Sequence, residues 1–85
     1  MCALAKRRED ARQSPGELIS QARKRVGLTE SEMAKKLGTN VITCRAYEKN
    51  IAEPSSSVLY RIAQLLNIDL KEIQDAYTRY WQAQN

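Results

Sequence analysis

Residues Thr29–Lys49 read TESEMAKKLGTNVITCRAYEK. Two short helical patterns flank Gly38-Thr39-Asn40 in this stretch. The first is predicted over about Glu30 to Leu37. Thr29 is a suitable N-cap, and Glu32, three residues on, completes a capping box in which each residue satisfies an orphan amide of the other. Met33, Ala34 and Leu37 share one apolar face. Gly38 stands where a helix end needs a left-handed residue. Asn40 can cap the second helix, about Val41 to Lys49, with Cys44 and Tyr47 as its inward pair.

Size and composition narrow what can surround this stretch. Eighty-five residues make one domain. So short a chain buries only about 60–65% of its unfolded surface, so the core is small and leaves no room for a deep catalytic cleft. The hydrophobic share, 42%, is ordinary for a globular protein. No apolar run approaches the roughly 20 residues a bilayer requires, and MCALAKRRED lacks the apolar region of a secretory signal. The expectation is a cytoplasmic protein. Histidine is absent and the two cysteines, Cys2 and Cys44, lie far apart. Metal sites, a disulfide framework and histidine-based catalysis are therefore not expected, and no cofactor is. The net charge of +4 is compatible with nucleic acid without demanding it.

Working outward, residues 1–13 are polar and predict a flexible basic arm, with Lys6, Arg7, Arg8 and Arg12 carrying the charge. The domain proper is residues 14–85. Ser14-Pro15-Gly16-Glu17 starts a first helix: Ser14 caps, Pro15 takes the first position and Glu17 completes a second capping box. Leu18, Ala22 and Val26 form its stripe, with Ile19 and Arg23 beside it, and Gly27 closes it. An arginine bordering an apolar stripe needs a carboxylate partner if buried. After Asn50-Ile51-Ala52-Glu53-Pro54-Ser55, a fourth helix is predicted over about Ser56 to Leu66, with Leu59, Ile62, Ala63 and Leu66 inside and Asn67 closing it. Asp69 caps a fifth, about Leu70 to Gln82. Leu70, Ile73, Ala76, Tyr77, Tyr80 and Trp81 are its apolar positions. No strand-period alternation appears, so the fold class is all-α.

Five helices with a glycine turn between the second and third resemble the phage-repressor and Cro-like (XRE-type) helix-turn-helix family. The carriers are ARKRVGLTESEMAKKLG, then RAYEKNIAEPS, then RIAQLLNIDLKEI, spanning about residues 16 to 73. The resemblance implies a five-helix, lambda-repressor-like domain whose third helix enters the DNA major groove. It also implies a structural ion pair between Arg23 and Glu48. Base-reading positions fall on Val41, Ile42, Arg45 and Ala46, and phosphate contacts on Thr29, Asn40, Thr43, Lys49 and Asn50. Two departures stand out. Among the base-reading positions only Arg45 can donate hydrogen bonds, and arginine to guanine O6 and N7 is the commonest specific contact. Val41, Ile42 and Ala46 can only press on thymine methyls, or Val41 and Ile42 can form an apolar patch for a protein partner. Glu30 occupies a position where the family often has glutamine, and a carboxylate suits the helix dipole but repels phosphate. Lys35, Lys36, Arg61 and Arg79 read as solvated surface.

The expected function is a sequence-specific DNA-binding transcriptional regulator without enzymatic activity. The expectation extends to a repressor that binds a palindromic operator on double-stranded DNA as a homodimer. Tyr77, Tyr80 and Trp81 would supply the dimer surface, unless they fold back onto their own core. The alternative is an interaction module of the same fold, an antitoxin or adaptor, with a reduced reading face and a protein partner.

Overall fold

The computed structural model describes residues 13–84; the basic arm expected at residues 1–13 falls outside them except for Gln13. Five helices follow in order: α1 (Pro15–Arg25), α2 (Glu30–Leu37), α3 (Val41–Glu48), α4 (Ser56–Leu66) and α5 (Leu70–Gln84). The chain is all-α among the described residues. None of its helices there is long and apolar enough to cross a membrane.

Local chemistry sets most of the boundaries. Both capping boxes form: Ser14 Oγ accepts from the Glu17 amide while the Glu17 carboxylate accepts from the Ser14 amide, and Thr29 and Glu32 do the same. The amide and hydroxyl bonds from Thr29 hold the Glu32 carboxyl below its ordinary pKa. Gly38 (φ 73°) closes α2 and Asn67 (φ 58°) closes α4, both left-handed. Helix α3 ends one residue early, with Lys49 as its C-cap. Helix α5 runs two residues beyond the expected Gln82.

The core is built from Ile19 and Ala22 of α1, Met33, Ala34 and Leu37 of α2, Cys44 of α3, Leu59, Ile62, Ala63 and Leu66 of α4, and Ile73 and Tyr77 of α5. Burying each large aliphatic contributes about 1.5–3 kcal/mol. Burial also raises the Cys44 thiol pKa, with the Glu48 and Glu30 carboxylates adding to it, so this cysteine is an inert packing residue.

Helix α1 is rotated relative to the expected stripe. Val26 is 41% exposed and Leu18 only half-buried, whereas Ile19 and Arg23 are buried. The reason is α3, which packs on the face carrying Gly16, Ile19 and Arg23. Gly16 lets the two backbones meet. A Cβ added there would lie 2.7 Å from the Glu48 carbonyl carbon and 2.8 Å from Asn50 Oδ1. The Gly16 amide donates to Asn50 Oδ1 at 2.9 Å, and Asn50 Nδ2 donates to Ser14 Oγ at 2.9 Å. Asn50 itself is left-handed (φ 62°), a conformation asparagine tolerates.

About two turns along α1, Arg23 meets Glu48. Nε donates to Oε2 at 2.7 Å, Nη2 to Oε1 at 3.3 Å, and Nη1 to the Leu28 carbonyl at 2.9 Å. Both side chains are about nine-tenths buried, at 10% and 8% exposure. The bond to Glu48 raises the guanidinium pKa further, so the arginine is cationic at every accessible pH.

On α5, Tyr77 departs from its expected place in a dimer surface. It is 5% exposed and belongs to the core. Its position four residues after Ile73 puts both on the face turned toward α4 and α1. The Tyr77 hydroxyl is buried with no hydrogen-bond partner among the described residues. Burial, then the Glu53 charge, pushes its pKa well above the usual phenol range.

Three stability outcomes follow from this packing, each measurable by thermal and urea unfolding. Glu48→Ala leaves Arg23 buried without its partner and costs about 3–5 kcal/mol. An unchanged melting temperature would refute the pair's role. Gly16→Ala forces α1 away from α3 and costs about 1–3 kcal/mol. Tyr77→Phe removes an unpaired buried hydroxyl and leaves stability equal or higher, by up to about 1 kcal/mol; a clear loss would mean that the hydroxyl is satisfied.

Candidate nucleic-acid interface

The turn between α2 and α3 is held by its own backbone. The Thr39 amide donates to the Ala34 carbonyl at 2.9 Å and the Gly38 amide to Lys35 at 3.2 Å. Asn40 then caps α3, its Oδ1 accepting from the Thr43 amide at 2.8 Å. These contacts close α2 and start α3 within three residues, which fixes the direction in which α3 leaves the turn.

Helix α3 has two unlike faces. Cys44 is fully buried, and Val41 and Tyr47 pack against the core cluster from its edge. On the opposite side Ile42 is 77% exposed. Arg45 and Lys49 are exposed and Ala46 is half-buried. Positions 42, 45, 46 and 49 follow the i, i+3, i+4, i+7 spacing of one helical face. Three of the four expected base-reading residues therefore line one outward stripe, joined by Lys49. Val41 is the exception: as the first residue of α3 it leans onto the core, so its methyls are only partly available.

The expected phosphate residues divide. Asn40 is exposed and caps through its Oδ1, and its Nδ2 has no partner among the described residues. Thr29 accepts from the Glu32 amide at 3.1 Å, and its hydroxyl also faces the Glu32 carboxylate, so a phosphate would compete with the capping box for it. Thr43 borders the stripe half-buried, and Lys49 is exposed at the C-terminal end of α3. Asn50 has a structural role beside the expected one. Its Oδ1 accepts from Gly16 and its Nδ2 donates to Ser14, so it clamps α3 to α1. The signal for this was legible in part: asparagine just past a helix end favours the left-handed conformation. Its partner 34 residues upstream was not.

Arg45 is not isolated. Its Nε donates to Glu30 Oε1 at 3.0 Å, with the arginine side chain 56% and the glutamate 31% exposed. The two departures read separately in the sequence thus meet across the turn. Glu30 also adds to the field that raises the Arg23 pKa. Two separate ion pairs thus flank the turn, Arg23–Glu48 in the buried α1–α3 contact and Arg45–Glu30 at the exposed stripe.

Among the expected aromatics, Tyr80 is half-buried and Trp81 is 43% exposed. Their rings meet edge to face with centroids 5.6 Å apart at 74°. Trp81 borders an open groove of about 470 Å³ with Pro54, Leu59 and Gln74. Among the described residues no group of three or more histidine, cysteine or acidic side chains could hold a metal.

The layout of short helix, glycine turn and exposed-stripe helix, locked to a preceding helix, is matched by a family model described as helix-turn-helix over residues 19–73. No curated protein and no solved structure gives a significant match. The family match covers α2 and α3 whole and continues from the middle of α1 to the first turn of α5. The chain belongs to the XRE-type, Cro-like helix-turn-helix family of DNA-binding regulators.

Proposed function

We propose that the protein is a sequence-specific transcriptional repressor acting on duplex DNA in the cytoplasm. Helix α3 enters the major groove with Ile42, Arg45 and Ala46 toward the base edges. Arg45 donates to a guanine, Ile42 presses on a thymine methyl, and Ala46 allows close approach. Thr29, Asn40, Thr43 and Lys49 engage phosphates on either side, together with the backbone amides at the start of α2. Repression follows from occupancy: a bound domain excludes other proteins from the same groove. The observation that carries this reading is the outward stripe on α3, set on a helix whose opposite face is locked into the core.

A domain of this size reads few base pairs. Two copies related by a two-fold axis would place two α3 helices one DNA turn apart and make the site palindromic. The exposed ring of Trp81, edged by half-buried Tyr80 and the groove beside Pro54, supports pairing through the end of α5.

One observation favours a second reading, a module that binds protein through the same face. Ile42 is the most exposed large hydrophobic side chain on the described surface, and it stands beside an arginine already bonded to a glutamate. A polypeptide with an apolar and an acidic side chain at matching spacing would fit it.

Binding to mixed genomic DNA at two salt concentrations separates the readings. DNA binding through several phosphates loses affinity steeply between about 50 and 200 mM salt. Lys49→Ala reduces the logarithmic salt slope by about one and weakens all sequences alike. Salt-independent or absent binding would favour the protein partner. For the dimer, sedimentation of the wild type gives twice the chain mass and that of Trp81→Ala a single chain; equal masses would remove α5 as the interface.

A further inference from the structure

The pairing of Glu30 with Arg45 joins two features that the reading of α3 as a recognition helix leaves unexplained. Under that reading Glu30 sits at the start of α2, close to the phosphates, where its charge opposes binding. Arg45 would be the one hydrogen-bond donor among the base-reading residues, at the tip of a long and rotamer-rich side chain. An exposed ion pair contributes little to stability. The consequence of this pair is therefore geometric.

The bond uses one particular atom. Glu30 Oε1 accepts from Nε of Arg45 at 3.0 Å. Neither Nη group of Arg45 has a hydrogen-bond partner among the described residues. The guanidinium is a rigid plane with five N–H donors. Holding it at Nε fixes the plane and leaves the terminal pair of nitrogens forward. That pair matches the two acceptors of guanine, O6 and N7, in end-on bidentate fashion. The alternative side-on approach, through Nε and one Nη, is closed while the glutamate is in place.

Glu30 is itself well held. It is the first residue of α2, where the helix dipole favours a carboxylate. Its charge also acts on Arg23, which is fixed by Glu48 and the Leu28 carbonyl. The Glu30 side chain is 31% exposed, against 56% for Arg45, so it is the more confined partner of the pair. The same charge discourages Arg45 from swinging toward a phosphate, because the phosphate would have to approach Glu30.

We infer that Glu30 is a positioning residue for base recognition: it holds Arg45 by Nε so that the two Nη groups fork onto one guanine, exchanging overall affinity for discrimination. This rests on the reading of α3 as a recognition helix. It assigns a specificity role to a residue whose charge would otherwise only weaken binding.

The test is equilibrium binding to three duplexes: the best site from a selection of random oligonucleotides, that site with its critical guanine pair replaced, and an unrelated sequence. Wild type, Arg45→Ala, Glu30→Ala, Glu30→Gln and the Glu30→Ala/Arg45→Ala double variant are compared. Arg45→Ala lowers the preference for guanine by about tenfold or more. Glu30→Ala lowers it by about three- to tenfold while raising affinity for the unrelated duplex. Glu30→Gln, whose amide oxygen still accepts from Nε, keeps most of the preference. In the Arg45→Ala background Glu30→Ala changes the preference no further. If Arg45→Ala flattens the preference and Glu30→Ala leaves it intact, the positioning role is overturned and base reading stands. If Glu30→Ala weakens every duplex equally along with a lowered melting temperature, its role is structural and the inference fails. If Arg45→Ala leaves the preference unchanged, the recognition-helix reading fails first and the inference falls with it.

Discussion

The contact between Arg23 and Glu48 sets the geometry on which the rest of the domain depends. Removing two opposite charges from water is costly, and the attraction between them compensates only when the geometry is good and the remaining donors are satisfied. Here the guanidinium spends Nε and Nη2 on the carboxylate and Nη1 on the Leu28 carbonyl. Such a set of bonds has direction, unlike an apolar contact. It specifies how far α3 lies along α1 and how it is rotated about its own axis. Gly16 and Asn50 secure the same junction nearer the start of α1, through backbone approach and two further hydrogen bonds.

That precision matters because α3 has only eight residues. Isolated helices shorter than about 12–15 residues are marginal in water. The outward stripe therefore exists as a rigid surface only because the other face is held. Cys44 enters the core, Val41 and Tyr47 lean against it, and Glu48 ties the last turn to α1. What is left facing solvent is Ile42, Arg45, Ala46 and Lys49. A second ion pair, Glu30 with Arg45, stands at the exposed stripe. The buried pair serves the fold and the exposed pair lies on the candidate interface.

The C-terminal helix shows how three aromatics in five residues can serve different ends. Tyr77 lies on the same side of α5 as Ile73 and Ala76 and is absorbed by the core, even though its hydroxyl has no partner among the described residues. Tyr80, half-buried, and Trp81, exposed, lie beyond the core and pack on one another. Helical rotation separates them. Of the three aromatics, only Tyr80 and Trp81 keep surface for a second molecule.

Much of the architecture was legible from residue order because its causes are local. Ser14 with Glu17, Thr29 with Glu32, Gly38, Asn40 and Asn67 act within a few residues of themselves, so the helix ends could be read along the chain. The apolar periodicity of α2 and α4 named their core residues for the same reason. Tertiary structure alone decided what depends on contacts distant in sequence. The stripe on α1 turned toward Ile19 and Arg23 because α3 docks there, Gly16 serves a close approach that no neighbouring residue announces, and Asn50 reaches 34 residues back to α1. Glu30 and Arg45, 15 residues apart, read as two separate anomalies until the turn at Gly38 brought them within hydrogen-bonding distance. Capping and periodicity are short-range interactions that sequence spacing encodes directly. Which side chain a free donor finally meets is set by how the helices pack, and only the folded chain fixes that.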